Sequence, residues 1–344
     1  MSRGKDDPLR VGVAGIGYWG INLLRVFHEV AGCRVAAFAE CDARKREAAA
    51  ARYPAARAFE SLDAMLDSGL VEALVVATPA EHHEAAARAA LARGCHLFLE
   101  KPFALSVASA QAMVDGFERA GKTLMAGHTF CYNPAVERIR EEVQSGRLGR
   151  LLYVTSRRLS LGQVRTGVNV LWNLAPHDVS ILLYCLGAVP ERGAATGSVF
   201  LQPGLEDVVW STLSFPGGMR AHLELSWISP LKVRDMVWVG TRRMIQYDDV
   251  DPAARIRIYE NRLDGPAQAY DSYGTHLAAV RSGDVSVPTL PNEEPLRREA
   301  AHFVGCVRTG ERPRTDGLHG LAVTRVLEGL ERSMRQGGAS VGLR

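Results

Sequence analysis

The 344-residue sequence lacks the features that would tie it to a metal, a disulfide framework or a membrane. Its six cysteines are scattered, and even the nearest pair, Cys33 and Cys41, has none of the CxxC or Cys/His spacing of zinc sites. No run approaches the ~18 consecutive apolar residues of a membrane span, and the start, Met1 to Asp7, contains no apolar stretch that would indicate a signal peptide. We therefore expect reduced thiols, no metal site and a cytoplasmic protein.

An excess of one charge is also missing. Lys and Arg number 41 against 38 Asp and Glu, a net charge of +3 that is spread evenly along the chain. This balance is too mild to indicate a nucleic acid or an anionic membrane as partner. Hydrophobic residues make up 47% and charged residues 23%, as in an ordinary globular protein. At roughly 100–200 residues per domain, the length predicts about two domains.

Between residues 8 and 130, short apolar runs alternate with helical stretches. The runs are apolar almost throughout, which is typical of strands buried on both faces of a parallel sheet. Two helical stretches end at Gly94 and Gly121, where we expect left-handed helix ends, and Ser106 is a plausible N-cap. The alternation predicts an α/β fold with a doubly wound domain over residues 8–130. The strand candidates are Val11–Ala14, Arg34–Ala39, Ala73–Ala77, His96–Leu99 and Thr123–Ala126.

The character of the chain changes after Asn133-Pro134, which suits an N-cap and the first position of a helix. Alternating strands then dominate, and Pro216-Gly217-Gly218 predicts the turn of an antiparallel hairpin. The sequence therefore predicts a second domain over residues 131–344, built on an antiparallel sheet, whose last helices pack back onto the body of the protein. The elements in question are the strands Leu151–Arg157, Val208–Phe215 and Met219–Trp227 and the helices Leu296–Thr309 and Leu318–Gln336.

The motif Gly15-Ile16-Gly17-Tyr18-Trp19-Gly20 is a GxGxxG directly after a predicted strand and at the start of a helix. In that setting the glycines permit a tight turn, a close approach of backbone to a pyrophosphate and close helix–strand packing, while the helix N-terminus faces the phosphates. Glu40 ends the next strand, 20 positions after Gly20, where an acid accepts hydrogen bonds from ribose hydroxyls. This carboxylate and Asp42 favour NAD over NADP, although the basic residues Arg44–Arg46 could hold a 2′-phosphate.

Two further motifs carry a family resemblance. Glu100-Lys101-Pro102 follows the strand His96–Leu99, and His177-Asp178 is expected to open a helix of the second domain. With the glycine-rich turn, these residues resemble the Gfo/Idh/MocA oxidoreductases, the relatives of glucose–fructose oxidoreductase and inositol dehydrogenase. The resemblance covers nearly the whole chain and is greatest to members that act on sugars and sugar nucleotides. Further matching stretches are Thr78-Pro79 with His83, Gly127-His128-Thr129, Trp172 to Gly187, and Ser226 to Arg234.

The resemblance implies an N-terminal Rossmann domain and a C-terminal α/β domain with a large, open, mostly antiparallel sheet. One face of that sheet is expected to close over the nicotinamide, and the other to form a homodimer or homotetramer interface. The implied reaction is hydride transfer between NAD(P) and a carbinol carbon of a sugar, sugar nucleotide or cyclitol. The residues expected to bind the cofactor are Gly15, Ile16, Gly17, Tyr18, Trp19, Gly20, Glu40, Thr78, Pro79, His83, Glu100, Lys101 and His128.

Three residues are candidates for the chemistry. His177 is the expected proton acceptor, since an imidazole titrates near 6.5 and can work in either direction. Lys101 lies beyond the carboxyl end of a parallel strand, where ligands of open α/β sheets bind. Asn173 stands where family members usually carry an aspartate. An amide cannot take a proton at neutral pH, so we expect Asn173 to position a substrate hydroxyl and to leave proton transfer to the other two.

The substrate-binding candidates are mainly basic, because a guanidinium fork binds two oxygens of a diphosphate or carboxylate at once. Two other readings of the function stay open. One is an enzyme that keeps NAD bound through a redox cycle, for oxidoreduction or for glycoside cleavage. The other is a non-catalytic NAD-binding protein, which rests on Asn173. The substrate-binding candidates are Arg157, Arg158, Arg165, Asn169, Trp172, Asn173, Lys232 and Arg234.

Overall fold

The structure, a computed structural model, describes residues 7–162, 164, 167–260, 262–263, 280–281 and 283–343. The chain divides into two units. The first contains the chain up to Tyr132 together with Glu293–Arg325, and the second contains Asn133–Asn292 together with the chain from Val326 onward. The first unit therefore includes a segment from late in the sequence, which supplies a helix to its core.

The elements are numbered here in chain order. The described strands are β1 (Leu9–Ala14), β2 (Cys33–Ala39), β3 (Arg57–Phe59), β4 (Ala73–Val76), β5 (His96–Glu100), β6 (Leu124–Gly127), β7 (Leu151–Leu161), β8 (Arg192–Ser198), β9 (Val208–Ser214), β10 (Arg220–Ser226), β11 (Ile228–Gly240), β12 (Met244–Asp248), β13 (Ile256–Tyr259), β14 (Arg262–Leu263), β15 (Val280–Arg281), β16 (Val285–Ser286) and β17 (Val341–Gly342). The described α-helices are α1 (Gly20–Glu29), α2 (Ala43–Arg52), α3 (Leu62–Asp67), α4 (His83–Ala92), α5 (Val107–Arg119), α6 (Pro134–Gln144), α7 (Val170–Leu186), α8 (Pro295–Thr309) and α9 (Gly317–Arg335).

The first unit is built on a six-stranded sheet in the order β3-β2-β1-β4-β5-β6, and every pair in it is parallel. The doubly wound α/β fold expected from the alternating runs is confirmed. The strand order reverses between β1 and β4, and the crevice at such a switch point is where ligands of open α/β sheets bind. The short strand β3 was not predicted, because its three residues give too little periodicity to read.

Local capping chemistry sets the helix bounds in both units. Ser106 accepts a hydrogen bond from the backbone N–H of Ser109 and caps α5, and Asn133 accepts one from Ala135 and caps α6. Gly94 and Gly121 have φ of +65° and +61°, the left-handed conformation expected beyond these helix ends. The predicted N-caps at Ser106 and Asn133 and the predicted left-handed glycines at positions 94 and 121 are therefore confirmed.

The second unit contains a nine-stranded sheet in the order β16-β13-β12-β11-β7-β10-β9-β8-β17. Its pairs are antiparallel except for the central β7–β10 pair, which is parallel. The predicted hairpin is confirmed, since β9 pairs with β10 around Pro216–Gly218 with Ser214 opposite Arg220. The large, mostly antiparallel sheet implied by the family resemblance is therefore present.

Helix α7 differs from the expectation. It begins at Val170, where Asn169 accepts a hydrogen bond from the Trp172 backbone N–H, so Pro176 and His177 lie inside the helix. The prediction that His177 opens a helix was therefore wrong. Proline has a backbone φ compatible with a helix, but it lacks the N–H that would bond to the carbonyl four residues earlier, and its ring crowds that carbonyl. The packing that buries most of α7 offsets that loss.

The late helix α8 is held in the first unit by aromatic packing. Phe303 of α8 meets Phe27 of α1 and Phe98 of β5 edge to face, with ring centroids 6.1 Å and 5.7 Å away. Phe27 and Phe98 pack on each other in the same way at 5.9 Å. Such pairs contribute about 0.5–1.5 kcal/mol each beyond their area burial. This three-ring cluster fixes which face of α8 points at the end of β5.

None of the described helices is long and apolar enough to cross a membrane. Among the same residues, no three His, Cys, Asp or Glu side chains are grouped in a way that could hold a metal ion.

Candidate functional site

The glycine-rich turn between β1 and α1 is shaped by its glycines. Gly15 has φ +84°, and a Cβ there would lie 3.0 Å from the backbone of Ala77. A Cβ on Gly20 would lie only 1.8 Å from the Gly15 carbonyl oxygen, whereas one on Gly17 would meet nothing within 4 Å. The turn is therefore closed on its inner side and open above Gly17, at the N-terminus of α1. This geometry fits a pyrophosphate held by backbone N–H groups.

Glu40 lies against this turn at the end of β2. Its Oε2 accepts a hydrogen bond from the Ile16 backbone N–H at 2.6 Å, and its Oε1 accepts one from the Asp42 N–H at 3.0 Å. Arg46 donates to the carbonyl oxygens of Glu40 and Cys41. The carboxylate is thus fixed beside the turn, where the sequence predicts a ribose-binding acid.

Glu100, at the end of β5, connects the turn to the lysine that follows it. The Trp19 indole N–H donates to Glu100 Oε1 at 2.7 Å, and the Lys101 backbone N–H donates to Oε2 at 3.1 Å. Burial raises the pKa of the Glu100 carboxyl to about 7, against the charge of Lys101 and these two hydrogen bonds, which favour the carboxylate. Glu100 is therefore buried, and it holds both the Trp19 side chain of the turn and the backbone of Lys101.

The residues after β4 and β6 complete this edge of the sheet. Thr78 is half-buried, and its buried Oγ1 has no hydrogen-bond partner among the described residues. His83 is buried, with its ring nitrogens 3.0 Å and 3.1 Å from the carbonyl oxygens of Thr78 and Pro102. The Lys101–Pro102 peptide bond is cis. His83 thus joins the segment after β4 to the segment after β5, and it supports the site rather than lining it.

His128, after β6, is fully buried and packs on His319 with ring centroids 5.3 Å apart. Burial, with smaller effects from His319 and Lys101, keeps the pKa of His128 well below its usual value. Burial lowers the pKa of His319 to about 4. Both rings are therefore neutral near pH 7, and they add no positive charge to the surroundings of Lys101.

The catalytic candidates of the second unit lie on α7. Asn173 and His177 are four residues apart and share one helix face, and both are half-buried. The next residue, Asp178, is buried and forms a bidentate pair with the buried Arg158, at 2.8 Å and 2.9 Å, while Ser156 adds a third contact at 3.1 Å. Since Arg158 and Ser156 lie on β7, this pair anchors the helix to the sheet through a different face of the helix from the one that carries Asn173 and His177.

The predicted substrate contacts fall into different environments. The Arg158 guanidinium is buried and held by two hydrogen bonds to Asp178. Asn169 caps α7 and donates to Glu206 at 2.7 Å, and Trp172 is buried. These three support the fold of the second unit. Arg157 pairs with Asp235 on the sheet face opposite Arg158, away from α7. Besides Asn173, three candidates remain: Arg234, 3.6 Å from Asp249; the exposed Lys232; and Arg165, which lies outside the described residues.

Sequence reasoning missed one buried acid of the first unit. Glu299 on α8 is 0% exposed, and its Oε2 accepts a hydrogen bond from Thr129 Oγ1 at 2.7 Å. Burial, with a further contribution from the charge of Glu100, keeps its pKa well above the usual range. A signal was present in the sequence. Leu296, Glu299, Ala300 and Phe303 follow the i, i+3, i+4, i+7 spacing of a buried helix face, which places a carboxyl in an apolar stripe.

Comparison with known proteins agrees with this geometry. Residues 9–128 match the model of the Gfo/Idh/MocA oxidoreductase family, described as an NAD-binding Rossmann fold, and residues 136–246 match a Gfo/Idh/MocA C-terminal domain. D-apiose dehydrogenase of Paraburkholderia graminis is 25% identical over 334 residues, which cover 94% of this chain and 87% of that protein.

Two further similarities bear on the cofactor and the fold. D-xylose 1-dehydrogenase (NADP(+)) 2 of Haloferax volcanii is 28% identical over 338 residues, 96% of this chain and 97% of that protein. The structure of UDP-N-acetylglucosamine 3-dehydrogenase from Acidithiobacillus ferrooxidans superposes with a TM-score of 0.79 at 24% identity, covering 95% of this chain and 99% of that one. The structural match shows the shared fold.

Proposed function

This chain belongs to the Gfo/Idh/MocA oxidoreductase family, and we propose that it is an NAD-dependent dehydrogenase or ketoreductase of a sugar, a sugar nucleotide or a cyclitol. The names of its relatives support this substrate class, since they include dehydrogenases of D-apiose and D-xylose. The proposal assigns a role to residues of both units.

One observation carries the proposal. The glycine-rich turn, Glu100 and Lys101 form a hydrogen-bonded series in which Trp19 of the turn donates to Glu100, and Glu100 accepts from the backbone of Lys101. The glycine-rich turn is thereby coupled to the backbone of Lys101, a residue at the carboxyl end of β5, two strands away from β1 in the same parallel sheet. A structural Rossmann domain without chemistry has no need of a lysine supported in this way.

Each residue has a role that its chemistry allows. When bound, the nicotinamide ring accepts or returns a hydride. The Lys101 ammonium donates a hydrogen bond to the reacting oxygen, and His177 takes the hydroxyl proton in oxidation and returns it in reduction. Asn173, on the same face of α7, binds a neighbouring hydroxyl as donor or acceptor. Lys232 and Arg234 remain candidates for binding acidic groups of the substrate.

The preference for NAD rests on Glu40. Its fixed carboxylate suits the two hydroxyls of an unmodified ribose and repels a 2′-phosphate. Replacing Glu40 with Gln should lower the affinity for NAD several-fold and reduce the ratio of NAD affinity to NADP affinity, as measured by calorimetry. A Glu47→Gln variant on the exposed face of α2 is the matched control. A wild-type protein that binds NADP more tightly than NAD would overturn the preference.

The function is tested in two steps. Mass spectrometry of the purified protein and calorimetry with NAD and NADP establish which nucleotide binds. Reduction of the nucleotide that binds is then followed in the presence of a panel of aldoses, cyclitols and nucleoside-diphosphate sugars. Oxidation of its reduced form is followed with the corresponding ketoses. Failure of both nucleotides to bind would refute the proposal. Retained nucleotide without net release of the reduced form would favour an enzyme that recycles its cofactor, and binding without turnover a non-catalytic NAD-binding protein.

We also propose that the protein acts in the cytoplasm as a homodimer or homotetramer. The nine-stranded sheet exposes aromatic side chains on its strands, with Tyr153 of β7 43% and Trp210 of β9 47% exposed. The strand register places both side chains on one face of the sheet, and an exposed apolar patch on such a face is typical of an interface. Light scattering during gel filtration measures the assembly, and a Tyr153→Glu/Trp210→Glu variant should shift it toward the monomer.

A further inference from the structure

Glu299 is a buried acid that the proposed reaction does not use. It is 0% exposed on the face of α8 that also buries Leu296, Ala300 and Phe303. Because Phe303 is locked against Phe27 and Phe98, the helix cannot rotate to bring the carboxyl to solvent without losing that packing. The protonation state of Glu299 is therefore determined by the buried groups around it and not by solvent.

The hydrogen bonds around Glu299 and Glu100 are unequal. Glu100 accepts from the Trp19 indole and the Lys101 backbone, and the cationic Lys101 favours its charged form. Glu299 accepts one hydrogen bond, from Thr129, and its Oε1 has no hydrogen-bond partner within the described part of the chain. Donors and positive charge thus favour the carboxylate at Glu100, whereas Glu299 receives little that would stabilise an anion.

The other described titratable groups around Glu299 supply no positive charge that would stabilise its carboxylate form. From β5 it meets the negative charge of Glu100, and from the segment after β6 it meets the Tyr132 phenol. His128 of that segment, with its neighbour His319, is held neutral by burial.

The nearby cations are directed elsewhere. Arg314 lies over the Tyr132 ring at 4.7 Å and donates to the Cys131 carbonyl oxygen. On α8 itself, Arg298 binds the Tyr132 carbonyl oxygen and pairs with Glu293. Two carboxyls that repel one another in a buried environment do not both ionise near neutral pH.

We propose that Glu299 is a positioning residue for Lys101: it remains a protonated acid, so that the negative charge of the Glu100–Glu299 pair is carried by Glu100, beside Lys101, once Glu100 ionises. This inference rests on the proposed function for its catalytic consequence, although the protonation itself does not. Loss of the Glu299 proton while Glu100 is ionised would leave two anions in one buried environment. Transfer of that proton to Glu100 would avoid this, but would move the charge away from Lys101.

The first experiment measures stability against pH and needs no substrate. A carboxyl with a pKa raised in the folded state binds more protons there than in the unfolded chain, so stability falls as pH rises above the ordinary value. Glu299→Gln removes that dependence. Relative to wild type, the variant should gain about tenfold in the folding equilibrium per pH unit, or about 1.4 kcal/mol, from about pH 5 upward. Denaturant unfolding at pH 5.5, 6.5 and 7.5 measures the gain.

The matched control is Glu293→Gln, which alters an exposed carboxyl just before α8. Its stability difference from wild type should stay constant across the same pH values. A constant difference for Glu299→Gln as well would mean that Glu299 is ionised throughout, and the inference would fall.

A second measurement is made on the wild-type protein and does not require that Glu299→Gln in particular folds. In wild-type protein labelled with ¹³C at the glutamate side-chain carboxyl, one resonance should keep the chemical shift of a protonated acid at pH 7.5. The resonance is assigned to Glu299 by its absence in any soluble substitution at that position. If every glutamate resonance has the shift of a carboxylate at pH 7.5, the proposal is refuted.

The catalytic consequence is tested by the pH profile of kcat. Because Gln cannot ionise, Glu299→Gln should extend the alkaline side of the profile to higher pH, whereas a purely structural role would lower kcat equally at every pH. An unchanged shape alongside the expected stability result would overturn the positioning role alone. Absence of turnover in the wild type would refute the proposed function and leave the protonated acid standing on its own evidence.

Discussion

The carboxyl end of β5 and the middle of α7 both present catalytic candidates, but they are stabilised in opposite ways. Around Glu100 and Lys101, the buried groups are acids and histidines. Burial raises the pKa of the acids and lowers the pKa of the histidines, so that both favour their neutral forms. Beneath His177, the buried groups are a fully formed ion pair, Asp178 with Arg158. The first arrangement is adjustable by pH, and the second is rigid until one partner is removed.

The difference shows how a charge can be kept in a protein interior. A bidentate pair with further hydrogen bonds retains both charges at the cost of strict geometry. A set of neutralised groups leaves one charge free to respond to a ligand. The comparison predicts large, pH-independent effects in the second unit and pH-dependent effects in the first.

The largest effect is expected at Lys101. Replacement by Met keeps the length of the side chain and removes the ammonium, which should lower kcat by about 10²–10⁴-fold, the contribution of a positioned proton-transfer or hydrogen-bonding group. Nucleotide affinity, measured by calorimetry, should change by only a few-fold. Lys122→Met, before the amino end of β6, is the control and should leave kcat unchanged. Full activity in Lys101→Met would mean that the β5 end is not catalytic.

The ion pair of the second unit gives the next largest effect. Arg158→Met leaves Asp178 buried without its partner and should reduce the free energy of unfolding by about 3–5 kcal/mol, measured with urea. Arg335→Met, which breaks the exposed pair with Glu331, should cost about 0–1 kcal/mol. If the two variants are equally stable, the contrast between rigid and adjustable regions disappears.

Glu100 should show the pH dependence that the ion pair lacks. Its pKa in the folded protein is about 7, above the ordinary value of 4.5, so it destabilises the fold progressively as pH rises between these values and no further above them. Across that window the loss amounts to about 3 kcal/mol, and Glu100→Gln should abolish it. The Trp19 indole resonance reports the same titration directly. A midpoint near pH 4 would show that burial is outweighed by Trp19 and Lys101.

The smallest effect is expected at Asn173. Asn173→Asp places a negative charge four residues from His177 on the same helix face, which favours the protonated imidazole. The acid side of the kcat profile for oxidation should therefore move up by about one pH unit, with nucleotide affinity nearly unchanged. Asn292→Asp, at an exposed position, serves as the control. An unmoved profile would remove Asn173 from the environment of the proton acceptor.

Much of the first unit was predictable because its signals are local. Continuous apolar runs give the parallel strands, Ser106 and Gly121 give the bounds of α5, and the spacing from Gly20 to Glu40 places an acid beside the glycine-rich turn. The roles of Lys101 and His177 came from the family resemblance and stay proposals.

The remainder depends on contacts between distant parts of the chain. Glu299 reaches Thr129 across 170 positions, and Arg158 meets Asp178 across 20. No periodicity indicates which buried charge pairs with which. The start of α7 was misread because Pro176 is a better signal for a helix start than Asn169, although the cap at Asn169 sets the bound.

The collision between a side chain at position 20 and the Gly15 carbonyl has a consequence for engineering. Because a side chain at position 20 does not fit, substitutions that alter coenzyme choice have to be sought outside the inner part of the glycine-rich turn, in the loop that follows β2. A focused library over Cys41, Asp42, Arg44 and Lys45 explores that region while keeping the inner bend intact. Redesign of the proposed coenzyme preference therefore combines replacement of Glu40 with changes to these solvent-facing side chains.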